Sequence, residues 1–113
     1  METQMEIPVI FENDDIYVIN KPSGLAVQGG SGVSTSVDTL LAEQRGAKVY
    51  LVHRLDKDTA GLLITAKNSA AAAVWTKRIS SHLVSKRYCA LCTGMFTSQK
   101  GRIDDPVVHK GNA

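Results

Sequence analysis

Asp56 follows Arg54 by two residues in LVHRLDKDTAGLLITAK (51–67), where His53, Arg54, Asp56, Lys57 and Asp58 crowd together between two apolar runs. A carboxylate beside a guanidinium is held in its ionised form, as a nucleophile or general base must be. Arginine can grip a phosphate with two parallel hydrogen bonds or take a place in a stack of bases. A plainer reading stands beside this one. Loops between strands are polar because their backbone faces water, and Lys57 and Asp58 suit a solvated loop equally well. Asp58, Thr59 and Gly61 also fit a tight turn, in which the Asp side chain bonds nearby backbone amides.

The surrounding segments must aim this cluster. VYLVH and GLLITAK read as strands on either side of it. Upstream, PVIFENDDIYVINKPSGL predicts strands over Val9–Glu12 and Ile16–Asn20, joined by an Asn-Asp-Asp turn and ended by KPSG. The glycines of VQGGSG then make a loop. TSVDTLLAEQRG predicts a helix capped by Thr35 or Ser36, with Val37, Leu40 and Leu41 on one face and Gly46 as its stop. NSAAAAVWTKRISSHL predicts a second helix, capped by Asn68 or Ser69, with Ala71, Trp75 and Ile79 in one core-facing stripe. KRYCALCTGMF reads as a further strand, with Lys86, Tyr88 and Ala90 on one face and Arg87, Cys89 and Leu91 on the other. The sum is an α+β fold: a mixed or mainly antiparallel sheet with two helices.

Composition narrows the function classes. The 113 residues suit one domain, and 43% apolar with 21% charged residues is an ordinary globular balance. A net charge of +2 neither requires nor excludes a nucleic-acid partner. No apolar run approaches the ~20 residues of a membrane helix, and the acidic METQMEIPVIFENDD start lacks a signal segment, so a cytoplasmic, non-membrane protein is expected. Cys89 and Cys92 have no second Cys or His pair beside them, and on a strand they would point to opposite faces. Two packed, reduced thiols are expected.

GGSG lacks the Gly-Lys-Ser/Thr ending of a phosphate-binding loop, and there is neither a G-x-G-x-x-G nor a G-x-S-x-G. His53, His82 and His109 lack metal-ligand spacing, and the Asp56–Asp58 pair stands without another acidic motif to help hold Mg²⁺. No metal and no organic cofactor is expected.

HRLDKDTAGLLITAK resembles the signature of the RluA-type pseudouridine synthases, which isomerise uridines in large-subunit ribosomal RNA and some transfer RNAs. FENDDIYVINKPSGLAVQGGSG is similar to that family's entry strands and lysine-proline loop, and SSHLVSKRYCALCTG to its K-x-Y-x-A strand. The order agrees over roughly Val9 to Val108, closest to the branch that includes the RluC-like enzymes of 23S rRNA.

The resemblance implies roles one residue at a time. Asp56 matches the essential aspartate, which attacks or deprotonates the nucleoside while its N1–C1′ bond breaks. Arg54 matches an arginine that intrudes where the flipped base leaves the stack. Tyr88 matches the tyrosine lying against the target uracil. Asp56 and Tyr88 are thus the candidate catalytic pair, and Arg54, His53, Lys77, Arg78, Lys86 and Arg87 the candidate RNA contacts. No cofactor belongs to this chemistry. Base extraction costs a few kcal/mol, and a cationic wedge with an aromatic platform meets that need. Lys77, Arg78, His82, Lys86 and Arg87 fit a phosphate track, though a solvated helix end also favours cations.

Catalytic domains of the family continue past GRIDDPVVHKGNA with more strands, another basic residue near the aspartate and an apolar residue lining the pocket. Some members add an S4-like RNA-binding domain, and Gln28 stands where a histidine is common. Residues 1–113 are therefore expected to form the first half of a catalytic domain, cut on its C-terminal side. Weak or absent turnover follows from a pocket missing one wall, and homodimerisation from an exposed sheet edge. The leading function is an RNA uridine isomerase, and the runner-up a non-catalytic fragment that binds RNA or itself. A third class, a Mg²⁺-dependent phosphoryl enzyme using Asp56 and Asp58, would demand metal dependence.

Overall fold

The computed structural model describes residues 6–30, 35–95 and 97–104. Its frame is four strands and two helices: β1 (Val9–Glu12), β2 (Ile16–Lys21), α1 (Val37–Arg45), β3 (Tyr50–Leu51), β4 (Gly61–Ala66) and α2 (Ser69–Ser80). The sheet order is β1-β2-β4-β3, and every neighbouring pair is antiparallel. The expected Asn-Asp-Asp turn joins β1 to β2, with Asn13 Oδ1 accepting from the Asp15 and Ile16 amides at 2.8 and 2.9 Å.

The strand period of two gives the sheet two apolar faces. Tyr17, Ile19 and Leu63 pack on one face with Val37, Leu40 and Leu41 of α1 and the loop residues Leu25, Val27 and Val49. On the other, Ala66, Ala71 and Ile79 close on Val52, with Ile64 and Trp75 half-buried beside them. The Asn68 side chain caps α2 by accepting from the Ala71 amide at 2.8 Å. Gly46 ends α1 in the left-handed region, at φ 70°, where a residue with a Cβ would be strained. Ser36 occupies the cap position of α1 without making the cap bond. Its hydroxyl donates instead to Asp38 Oδ1, which also accepts from the Thr39 amide.

Two expectations are corrected. The first is the strand over KRYCALCTGMF: residues 81–95 form no strand, and Leu91 and Met95 stand fully exposed. A strand needs a neighbour to bond, and β3 offers only the Tyr50–Ala66 and Leu51–Thr65 pairings, too little ladder to recruit another. The same shortening leaves Val52 and His53 outside the sheet. The second is the packing of the thiols. Cys89 and Cys92 are free and exposed, because the segment that carries them lies on the surface instead of in a sheet. His109 and the PVVHKGNA end lie outside the described residues.

Candidate active site

The charged cluster bridges β3 and β4, and its backbone is fastened to the loop that follows β2. Lys21 joins the two. It continues the Tyr17–Ile19–Lys21 row into the core face and is fully buried. Its Nζ donates to the carbonyls of Pro22 (2.9 Å), Leu25 (2.7 Å) and Lys57 (2.7 Å). Three ammonium hydrogens meet three acceptors, so the charged form fits and a neutral amine would set its lone pair against a carbonyl. Burial pushes the Lys21 ammonium below its ordinary value, while the Asp58 and Asp56 carboxylates push it back up.

Two more bonds join the same loops: the Gly24 amide donates to the Lys57 carbonyl at 2.8 Å, and the Ser23 hydroxyl to the Asp58 carbonyl at 2.7 Å. The Thr59 amide closes a turn on the Asp56 carbonyl at 3.0 Å. Gly61, at φ 136°, then lets the chain enter β4 immediately. Asp56 thus sits in a turn tied to the buried Lys21 and to the loop after β2, although its own residue is exposed.

A cavity of about 670 Å³ opens beside this turn. Val18, Leu62 and Ile64 floor it from the sheet, His53, Leu55, Asp58 and Thr59 line it from the loop, and residues 84–89 form its remaining wall. The candidate residues divide around it. His53, Lys86, Arg87 and Tyr88 come together as lining, while Asp56 and Arg54 flank the lining residue Leu55 and are exposed. Lys77 and Arg78 lie apart, in the last turn of α2, with the Arg78 guanidinium 4.9 Å from the centre of the Trp75 ring. The pair Asp56 and Tyr88 is therefore only half gathered. Tyr88 lines the cavity yet remains 62% exposed on an irregular segment.

His53 turns inward. Its Nε2 accepts from the Ile64 amide at 3.0 Å, and its Nδ1 is buried without a partner among the described residues. Burial, and then the Lys86 charge, hold its pKa below the ordinary histidine range. Its Nε2 is committed to the sheet, while the residue still lines the cavity. No group of three or more potential metal ligands exists among the described residues. Chemically, the site offers the Asp56 carboxylate on an anchored turn beside a half-apolar cavity lined by Asp58, cations and an aromatic ring.

Lys21, the lysine of the lysine-proline loop, is assigned no role by motif and charge patterns. Its signal in the sequence is parity: a lysine at the core-facing step of a Tyr-x-Ile-x-Lys row must either end the strand or find buried partners.

A family profile described as RNA pseudouridylate synthase matches residues 15–112. The chain is 43% identical over 97 residues to the "Ribosomal large subunit pseudouridine synthase C" of Rickettsia bellii, spanning 84% of this chain and 32% of that protein. It is 39% identical over 117 residues to the "RNA pseudouridine synthase 4, mitochondrial" of Arabidopsis thaliana, covering 88% and 24% of the two. Among solved structures, "Human RNA Pseudouridylate Synthase Domain Containing 4" superposes with a TM-score of 0.56 at 25% identity, over 67% of this chain and 30% of that one. The chain thus spans about a third or less of the length of these relatives. The profile match runs across both the turn of Asp56 and the segment that walls its cavity, over most of the chain: this chain belongs to the RNA pseudouridylate synthase family.

Proposed function

We propose that this chain carries the reacting aspartate of a uridine-to-pseudouridine isomerase, acting on large-subunit ribosomal RNA in the cytoplasm. Asp56 attacks or deprotonates the nucleoside as the N1–C1′ bond breaks. The uracil turns within the cavity, C1′ joins C5 with any bond to Asp56 released, the C5 proton is lost and N1 gains one, so the reaction is an isomerisation with no outside reactant. Tyr88 lies against the base, Arg54 fills the gap in the stack, and Lys86 and Arg87 hold phosphates. The observation that carries this reading is the anchored turn: buried Lys21 and the Gly24 amide both bond the Lys57 carbonyl, next to Asp56. A merely solvated loop has no need of a buried ammonium.

Incubating the chain with 23S ribosomal RNA, with and without excess chelator, tests it. Pseudouridine is then located by carbodiimide adducts that stop reverse transcription. New stops that survive the chelator are expected. Stops that vanish with the chelator would instead favour a metal-dependent reaction, and stops on transfer RNA alone would move the substrate class.

The exposed Ile10 and Phe11 on β1, an edge strand, and the exposed Leu62 on β4 support a second reading, in which two copies associate through this sheet edge and face. The whole family domain, of which this stretch forms the part bearing the aspartate, is the setting in which turnover is expected to be full.

A further inference from the structure

The imidazole of His53 sits where β3 leaves the sheet. The β3–β4 pairing ends at Leu51 and Thr65, and the next amide along β4, that of Ile64, donates to His53 Nε2 instead of to a strand carbonyl. Just beyond His53 begins the segment whose opposite end is tied by Lys21 and Gly24 to the Lys57 carbonyl. Arg54 and Asp56 therefore hang between two fixed points, one on β4 and one on the loop after β2.

We propose that His53 is a positioning residue: as a neutral imidazole accepting from Ile64, it fixes the near end of the Arg54–Asp56 segment so that Asp56 meets its substrate in one place. This rests on the reading of Asp56 as the reacting group. It gives His53 a role different from RNA contact.

The chemistry requires one protonation state. With Nε2 as acceptor, the single ring proton is on Nδ1, which is buried. A second proton would place an N–H against the Ile64 N–H and break the bond. The groups facing His53 are few. Lys86, Arg87, Tyr88 and Cys89 face the same cavity from one side and Asp58 from the loop, while β2 and β4 bring only Val18, Gly61, Leu62 and Ile64. Burial and then Lys86 disfavour the charged ring. Acidification should thus release the segment without unfolding the sheet.

The test is nuclear magnetic resonance on the chain itself. Nitrogen shifts of the wild-type imidazole should show the Nδ1–H tautomer near neutral pH. The Ile64 amide should be protected from hydrogen exchange in the wild type and in His53→Gln, whose amide oxygen can still accept. In His53→Phe its exchange should speed up by about tenfold, the size of one missing hydrogen bond, with the Thr65 amide unchanged. In the wild type, Ile64 protection should fall as the imidazole titrates, and in His53→Gln it should not. An Nε2–H tautomer, or equal Ile64 protection in His53→Phe, would overturn the proposal. Should His53→Phe fail to fold, the wild-type tautomer decides alone. None of these readouts involves turnover, so they stand or fall separately from the isomerase reading.

Discussion

At the scale of single residues, Lys21 Nζ and His53 Nε2 hold the two ends of the segment that carries the exposed Asp56 carboxylate. Lys21 donates to the carbonyls of Pro22, Leu25 and Lys57 from a fully buried position. Lys21→Met keeps the length and removes the donors, so a destabilisation of about 3 kcal/mol is expected, the scale of removing a charged hydrogen-bonding group from a core. Urea unfolding measures it. His53 adds a pH dependence with a definite sign. Its native pKa lies below the ordinary 6.5, so the unfolded chain binds more protons in the window beneath that value. Stability should therefore fall as pH drops below 6.5, and His53→Gln should flatten that slope. The proposed roles of Asp56, Arg54 and Tyr88 come from the sequence, where type and spacing carry their resemblance. The orientation of His53 is not. It depends on where β3 stops, which the apolar run VYLVH does not reveal.

Among the elements, the far end of the sheet has its own fastening. Glu12 on β1 pairs with Lys67 at 2.6 Å and with Arg45 of α1 at 3.3 Å, and both cations lie over the Tyr17 ring, 4.8 and 5.2 Å from its centre. The Lys67 hydrogen bond chiefly, and then the Arg45 and Lys67 charges, lower the Glu12 pKa against the opposing effect of burial. A lowered carboxylate stabilises the fold above its unfolded value and loses that contribution as pH falls. Glu12→Gln should reduce the acid sensitivity of thermal unfolding below about pH 4.5, the ordinary value.

Sequence patterns identify β1, β2, β4 and both helices nearly to the residue, since each has its period, its cap or its turn. They fail for residues 86–95, where Tyr, Cys and Leu alternate as a strand does. Alternation shows that a segment could lie in a sheet. It does not supply the neighbouring strand.

For the whole molecule, the sheet exposes Phe11 and Leu62, and Leu62 also floors the cavity. Sedimentation should show concentration-dependent association, and Phe11→Lys with Leu62→Lys should return the chain to monomer. RNA binding should depend steeply on salt. Replacing Lys86 and Arg87 together by alanine should lower the slope of log K against log salt by about 1.4, or about 0.7 for each single-strand phosphate that these side chains neutralise.

The most direct measurement of the central claim is tritium release from ribosomal RNA labelled at uracil C5, with the chain in excess over RNA. Slow release by the wild type and none by Asp56→Asn, with equal RNA binding by both, is the predicted result. Equal release by the two proteins would contradict Asp56 as the reacting group, and no release by a wild type that demonstrably holds the RNA would favour the non-catalytic RNA-binding fragment.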